Sequence, residues 1–156
     1  IYIYANDSKS ILIEAGEYLI YSKLYLAEQF TDYAVAFSGA YKIVFEVNRS
    51  EFLSCFNRIA LCVPDKKKLP AVLNYLNDSV DISISDPRID IHEAIALKPS
   101  AHNESIKIGV NIDFMKDALK ATTDETITFC MNGSLNPIVI KDGLFKQVVL
   151  PMRLKG

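Results

Sequence analysis

The chain has 156 residues, half of them apolar and 23% charged, with a formal net charge of −2 at pH 7. That composition supports a packed core and argues against disorder, while the near-neutral balance supplies no global basic field for nucleic acid, so any such contact must come from a local face. No apolar run reaches the roughly 18 residues that a bilayer span needs. The charged-then-apolar order of a secretory signal is also absent from the first residues. The opening Ile1-Tyr-Ile-Tyr4 already reads as strand, as expected of a chain entered partway through a longer protein.

Residues 1–26 read as three short strands, with Ile11–Ala15 and Tyr18–Tyr25 alternating around a turn at Gly16-Glu17. Residues 28–40 lose the alternation and contain Ser38-Gly39, the pattern of a linker with hydrophobic anchors. Tyr41–Val47 alternates again as a strand. Asn48 then stands where an N-cap belongs, with Glu51 three residues on, and Phe52, Phe56, Ile59 and Ala60 recur at helical spacing, predicting a helix over 49–62. Pro64-Asp65 and Lys66 to Lys68 end it. Strands are expected at 69–76 and 79–85 around the turn pair Asn77-Asp78, with a further pair at 88–98 and 104–110. Asn111 caps a second predicted helix over 111–121, whose apolar stripe is Ile112, Met115 and Leu119. Closing strands at 125–131, 135–140 and 146–151 are separated by Asn132-Gly133 and Asp142-Gly143. The unit 41–154 is thus an α+β layout of two helices and eight strands, which predicts the helices on one sheet face.

Little in this sequence announces catalysis. His92 lies in a strand and His102 in a polar loop, neither with a second histidine at ligand spacing. Phosphate-loop, nucleophile-elbow and dinucleotide patterns are absent. Asp86, Asp90 and Glu93 fit the exposed side of an edge hairpin. Cys55, Cys62 and Cys130 are odd in number with no C-x-x-C spacing, which fits buried thiols in a reducing compartment better than a disulfide or metal role. Arg58 sits away from the Phe52/Phe56 stripe, and Lys116 and Lys120 share a face with Asp113 and Asp117 nearby. That surface reads either as an ordinary solvated face or as a weakly basic one that neutralises phosphates without reading bases. After Val148-Val149-Leu150, Pro151 withholds a backbone donor, leaving Met152 and Leu154 around Arg153 on an unpaired tail. Such a tail is either a frayed end or one wall of an apolar groove.

The closing Val148-Val-Leu-Pro-Met-Arg-Leu154 closely resembles the terminal V-V-M-P-M-R-L of the bacterial DNA polymerase sliding clamp, its beta subunit. Gly16-Glu-Tyr-Leu-Ile-Tyr-Ser-Lys-Leu24 and Phe30-Thr-Asp-Tyr33 resemble that family's G-D-F-x-F-x-S-K-L and F-P-D-Y, and Ile108-Gly-Val-Asn-Ile-Asp-Phe114 its I-G-F-N-x-x-Y. The resemblance implies three similar domains per chain and two chains head to tail in a ring, with helices lining the hole and sheets forming the rim. Residues 1–36 would then be the C-terminal part of the middle domain, 37–40 a linker and 41–156 the third domain.

It further implies a pocket for partner peptides built from Thr31, Val35, Ala36, Asn111, Phe114, Leu135, Pro137 and Val148, Val149, Leu150, Pro151, Met152, Arg153 and Leu154, with Leu135 and Pro137 on the strand preceding the tail. Thr31 and Val35 depart from the family's Pro and Arg. Arg58, Lys116 and Lys120 would face duplex DNA, and Leu61 and Cys62 a neighbouring subunit. The implied partners are duplex DNA regardless of sequence, and the replicative polymerase, clamp loader and repair proteins through short peptides. A cytoplasmic homodimer with no cofactor, no membrane association and no catalytic site of its own is the corresponding expectation. Rival readings are a small cytosolic enzyme with an unrecognised active site and an adaptor domain without a nucleic-acid role.

Overall fold

The computed structural model describes residues 1–6, 9–24, 32, 34–37, 40–63, 69–98 and 105–154. The chain falls into two compact units, Ile1–Tyr33 and Ala34–Gly156. The first is an antiparallel meander of β1 (Tyr2–Asn6), β2 (Ser10–Ala15) and β3 (Tyr18–Lys23). Ala15 pairs with Tyr18, so the turn is Gly16-Glu17, and Gly16 takes φ +61°, a conformation that costs glycine nothing. All of β3 is exposed.

The second unit opens with a single helical turn, α1 (Ala34–Phe37), where the sequence suggests only linker. Phe37 is half-buried, and its carbonyl accepts a hydrogen bond from the Tyr41 hydroxyl at 3.4 Å. There follow β4 (Ile43–Asn48), α2 (Arg49–Cys62), β5 (Ala71–Tyr75), β6 (Ser79–Asp86), β7 (Ile89–Ala96) and β8 (Ile106–Val110). The unit ends with α3 (Ile112–Ala121), β9 (Thr126–Met131), β10 (Ile138–Asp142) and β11 (Phe145–Val149). The helix-ending Pro64 to Lys68 and the linker pair Ser38-Gly39 lie outside the described residues, as does His102.

Eight antiparallel strands form two four-stranded sheets, in the orders β11-β10-β9-β4 and β7-β6-β5-β8. The strands expected at 88–98 and 104–110 are not partners of one another: β7 pairs with β6 and β8 with β5, at opposite edges of one sheet. Asn77 carries the β5–β6 turn at φ 68°, and Gly143 the β10–β11 turn at φ 56°. By contrast, β10 begins at Ile138 rather than 135, leaving Leu135 and Pro137 on a loop. Hydrogen bonds widen that loop beyond a two-residue hairpin: Asn136 donates its amide to the Gly133 carbonyl, and Asn132 Oδ1 accepts the Lys42 amide at 2.9 Å.

Helices α2 and α3 pack on the antiparallel sheets and touch each other. Each starts at an asparagine cap. Asn48 Oδ1 accepts the Glu51 amide at 3.0 Å, satisfying a donor that the first helical turn leaves orphaned. Phe52, Phe56 and Ile59 are fully buried and Ala60 half-buried, while Cys55 joins the inward stripe. On α3 the inward residues are Ile112, Met115, Ala118 and Leu119. One hydrophobic core draws on both helices and all eight strands. At its centre Phe45 stacks between Tyr75 (5.0 Å) and Phe129 (5.3 Å), bridging the two sheets, and Phe52 meets Phe129 edge-on at 5.0 Å. Cys55 and Cys130 are buried, but Cys62 is exposed, contrary to the expectation for all three thiols.

Candidate functional site

The chain leaves one sheet and joins the other within three residues. Val149, only 4% exposed, ends β11 opposite Ile138, and Leu150-Pro151 then carries the backbone across to β8. There the Met152 amide donates to the Gly109 carbonyl at 2.8 Å in an antiparallel bridge. The tail is therefore not unpaired, as its composition suggests. Pro151 ends one ladder, and Met152 covers the edge of the other.

Along this crossing, side chains that the sequence singles out gather in shallow recesses. Phe114 (63% exposed) and Leu150 (64%) line one of about 420 Å³ with Val148, Val149, Asp117, Ala118 and Gln147. Gln147 Nε2 donates to the Ala118 carbonyl at 2.9 Å, tying β11 to α3 beneath it. Met152 and Leu154 line a second, of about 230 Å³, with Leu135, Ser134 and Lys107. A third, of about 650 Å³, is of mixed character, lined by Met152, Arg153 and Leu154, by Leu69, Pro70 and Val72, and by polar residues that include Asp90, His92 and Lys107. Phe114, Leu135 and Leu150 are exposed apolar side chains beside the half-buried Met152 and Leu154, and exposed apolar surface of this kind suits contact with apolar groups of another molecule.

Other predicted pocket residues are placed differently. Asn111 serves the fold: its Oδ1 accepts the amides of Asp113 (2.9 Å) and Phe114 (3.2 Å), capping α3. Pro137 is half-buried, and Val35 is 67% exposed on α1. Thr31 and the Ala36 side chain lie outside the described residues.

On the helices, Lys120 is exposed and Lys116 half-buried, with no ion pair to either among the described residues. Arg58 is engaged. Its Nε and Nη2 donate to Glu93 Oε1 (2.6 Å) and Oε2 (2.7 Å) in a bidentate pair, and Nη2 also reaches Cys55 Sγ at 3.1 Å. Glu93 thus does not sit on the exposed side of its hairpin. It shares strand parity with Ile89, Ile91 and Ile95, the β7 face turned inward, and reaches α2. The Arg58 hydrogen bonds hold the Glu93 carboxyl below its usual range, and Glu93 holds the Arg58 guanidinium still more firmly protonated. Burial, helped by the Glu93 charge, pushes the Cys55 thiol up, so it stays protonated. Sequence parity along β7 was the signal that could have placed Glu93. Leu61 is 87% exposed beside the exposed Cys62 at the end of α2.

No group of three or more His, Cys, Asp and Glu able to hold a metal occurs among the described residues. His92 Nε2 lies 3.2 Å from Asp90 Oδ1, both well exposed. Among the described residues no helix is long and apolar enough to cross a membrane.

The sequence pattern of the DNA polymerase III beta subunit, C-terminal domain, matches residues 36–153. The chain belongs to this family. The beta sliding clamp of Staphylococcus aureus is 26% identical over 149 residues, which are 94% of this chain and 39% of that protein. The structure of a putative DNA polymerase III beta subunit from Eubacterium rectale gives a TM-score of 0.79 at 26% identity, covering 96% of this chain and 40% of that one. A sliding clamp from Bartonella birtlesii bound to griselimycin gives 0.82 at 20% identity, covering 97% and 41%, a likeness in fold. This beta-subunit chain thus spans about 39% of the length of the curated relatives it matches.

Proposed function

We propose that this chain is part of a DNA sliding clamp, a processivity factor that encircles duplex DNA and tethers the replicative polymerase, clamp loader and repair proteins through short peptides. Membership of the beta-subunit family supports the general role. In this reading residues 1–36 close the middle domain, 37–40 link, and 41–156 form the third domain of a cytoplasmic head-to-tail homodimer. The clamp makes and breaks no bonds. A closed ring slides without leaving laterally, so the tether raises the polymerase's effective concentration at the primer end. Lys116 and Lys120, with Arg58 to the extent that Glu93 releases it, neutralise phosphates without base readout, which leaves sliding unimpeded. Leu61 and Cys62 pack on the neighbouring subunit, which accounts for a leucine left 87% exposed.

The observation that carries the peptide-binding part is the gathering of Phe114, Leu135, Leu150, Met152 and Leu154 around the tail's crossing. In the full-length protein, Met152→Ala and Leu154→Ala should each weaken a labelled peptide with Leu and Phe anchors roughly 30-fold, the effect of losing about 2 kcal/mol at a hot spot. Unfolding midpoints should stay near those of the parent. Unchanged affinity in a fluorescence titration would remove these residues from the pocket.

A further inference from the structure

Gly109 is buried in β8, and its φ is not in the left-handed region that Gly16 and Gly143 occupy. Alanine could adopt its backbone, so conformational freedom does not explain glycine here. Space does. A Cβ at 109 would lie 2.5 Å from the Met152 carbonyl oxygen and 2.8 Å from Leu154 Cδ2. The leucine methyl can rotate away, but the carbonyl is backbone, on the residue whose amide bonds to Gly109 at 2.8 Å.

We propose that Gly109 is the positioning residue of the peptide pocket: its missing side chain is the notch that seats the tail, and the tail seated there sets Met152 and Leu154 against Leu135. The binding part of this rests on the pocket reading above; the seating part does not. Any added side chain must be accommodated by residues 150–154, because Val149 upstream is fixed in the core by its pairing with Ile138. The recess of Leu135, Met152 and Leu154 therefore opens, while in the other recess Phe114 and Val148 stay in place, β11 being tied to α3 by the Gln147 bond to Ala118, and only its Leu150 wall can shift.

The test is Gly109→Ala in the full-length protein, alone and with the chain stopped after Pro151. Hydrogen exchange of the Met152 amide should quicken at least tenfold in Gly109→Ala, and the Leu/Phe-anchored peptide should bind at least tenfold more weakly. In the shortened protein the substitution should leave the unfolding midpoint unchanged, because the atoms it would strike are gone. An unaltered Met152 amide, or an equal loss of stability with and without the tail, overturns the inference. Should Gly109→Ala fail to fold with the tail present, folding of the shortened variant supports the notch and its failure to fold overturns it. If the parent protein binds no such peptide, the pocket reading fails while the exchange and unfolding results still decide the role of Gly109.

Discussion

Asn111 stands at the junction of fold and site, and its substitution separates the two roles. Its Oδ1 takes two amides that the first turn of α3 cannot satisfy internally, those of Asp113 and Phe114. Asn111→Ala leaves both without a protein partner. Asp113 and Phe114 are exposed, so water can replace part of what is lost. The expected cost is therefore about 1 kcal/mol, inside the roughly 0.5–2 kcal/mol range for lost caps. With a urea dependence near 2 kcal/mol per molar, that is a fall of about 0.5 M in the unfolding midpoint with unchanged slope. Asn111→Asp keeps the acceptor and adds charge where the helix dipole favours it, offset by the neighbouring Asp113, so its midpoint should stay near the parent's. Peptide affinity should follow stability, changing little for Asp and modestly for Ala through the Phe114 side chain. If Asn111→Ala unfolds like the parent yet abolishes peptide binding, Asn111 is a direct ligand contact and the capping account is wrong.

Three further predictions concern charge. Asp142 accepts the Thr123 amide (2.7 Å) and the Asp124 amide (3.1 Å), and those bonds hold its carboxyl below the usual aspartate range. A depressed acid contributes stability that is present above the unfolded pKa of about 3.9 and is lost as pH falls through the folded value. Glu93, depressed by Arg58, adds with the same sign, whereas Asp124, raised by its side-chain hydrogen bond to Asp142 and then by that group's charge, opposes it. Asp142→Asn should flatten the acid limb of a stability-against-pH curve measured by denaturation; an identical limb would refute its role. For DNA, Lys120→Ala should shallow the salt dependence of binding by about 0.9 in log–log slope, one phosphate contact. Arg58→Ala should change it less, because Glu93 already engages the guanidinium. Equal slopes for Lys120→Ala and the parent would remove Lys120 from the DNA face.

Local chemistry made much of the fold legible in the sequence. Asn48 and Asn111 mark both helix starts because a side-chain acceptor is needed there, and Asn77 and Gly143 mark turns because their backbones take positive φ. Alternation located the strands. What stayed hidden depends on contacts distant in sequence. Glu93 looks like an exposed edge acid until the packing of α2 against β7 brings Arg58 within 2.6 Å. Strand partners were equally inaccessible, since β8 joins β5 while the tail closes its other edge. For the site, the apolar character of Met152 and Leu154 was readable, but their seat on Gly109 required knowing which strand the tail would reach.

Encirclement is a topological property, and retention on DNA tests it. Full-length protein assembled on nicked circular DNA should remain bound through gel filtration at high salt and be lost when the circle is cut once. Equal loss from the circle and the cut form, or equal retention on both, would mean that binding is by contact and not by encirclement.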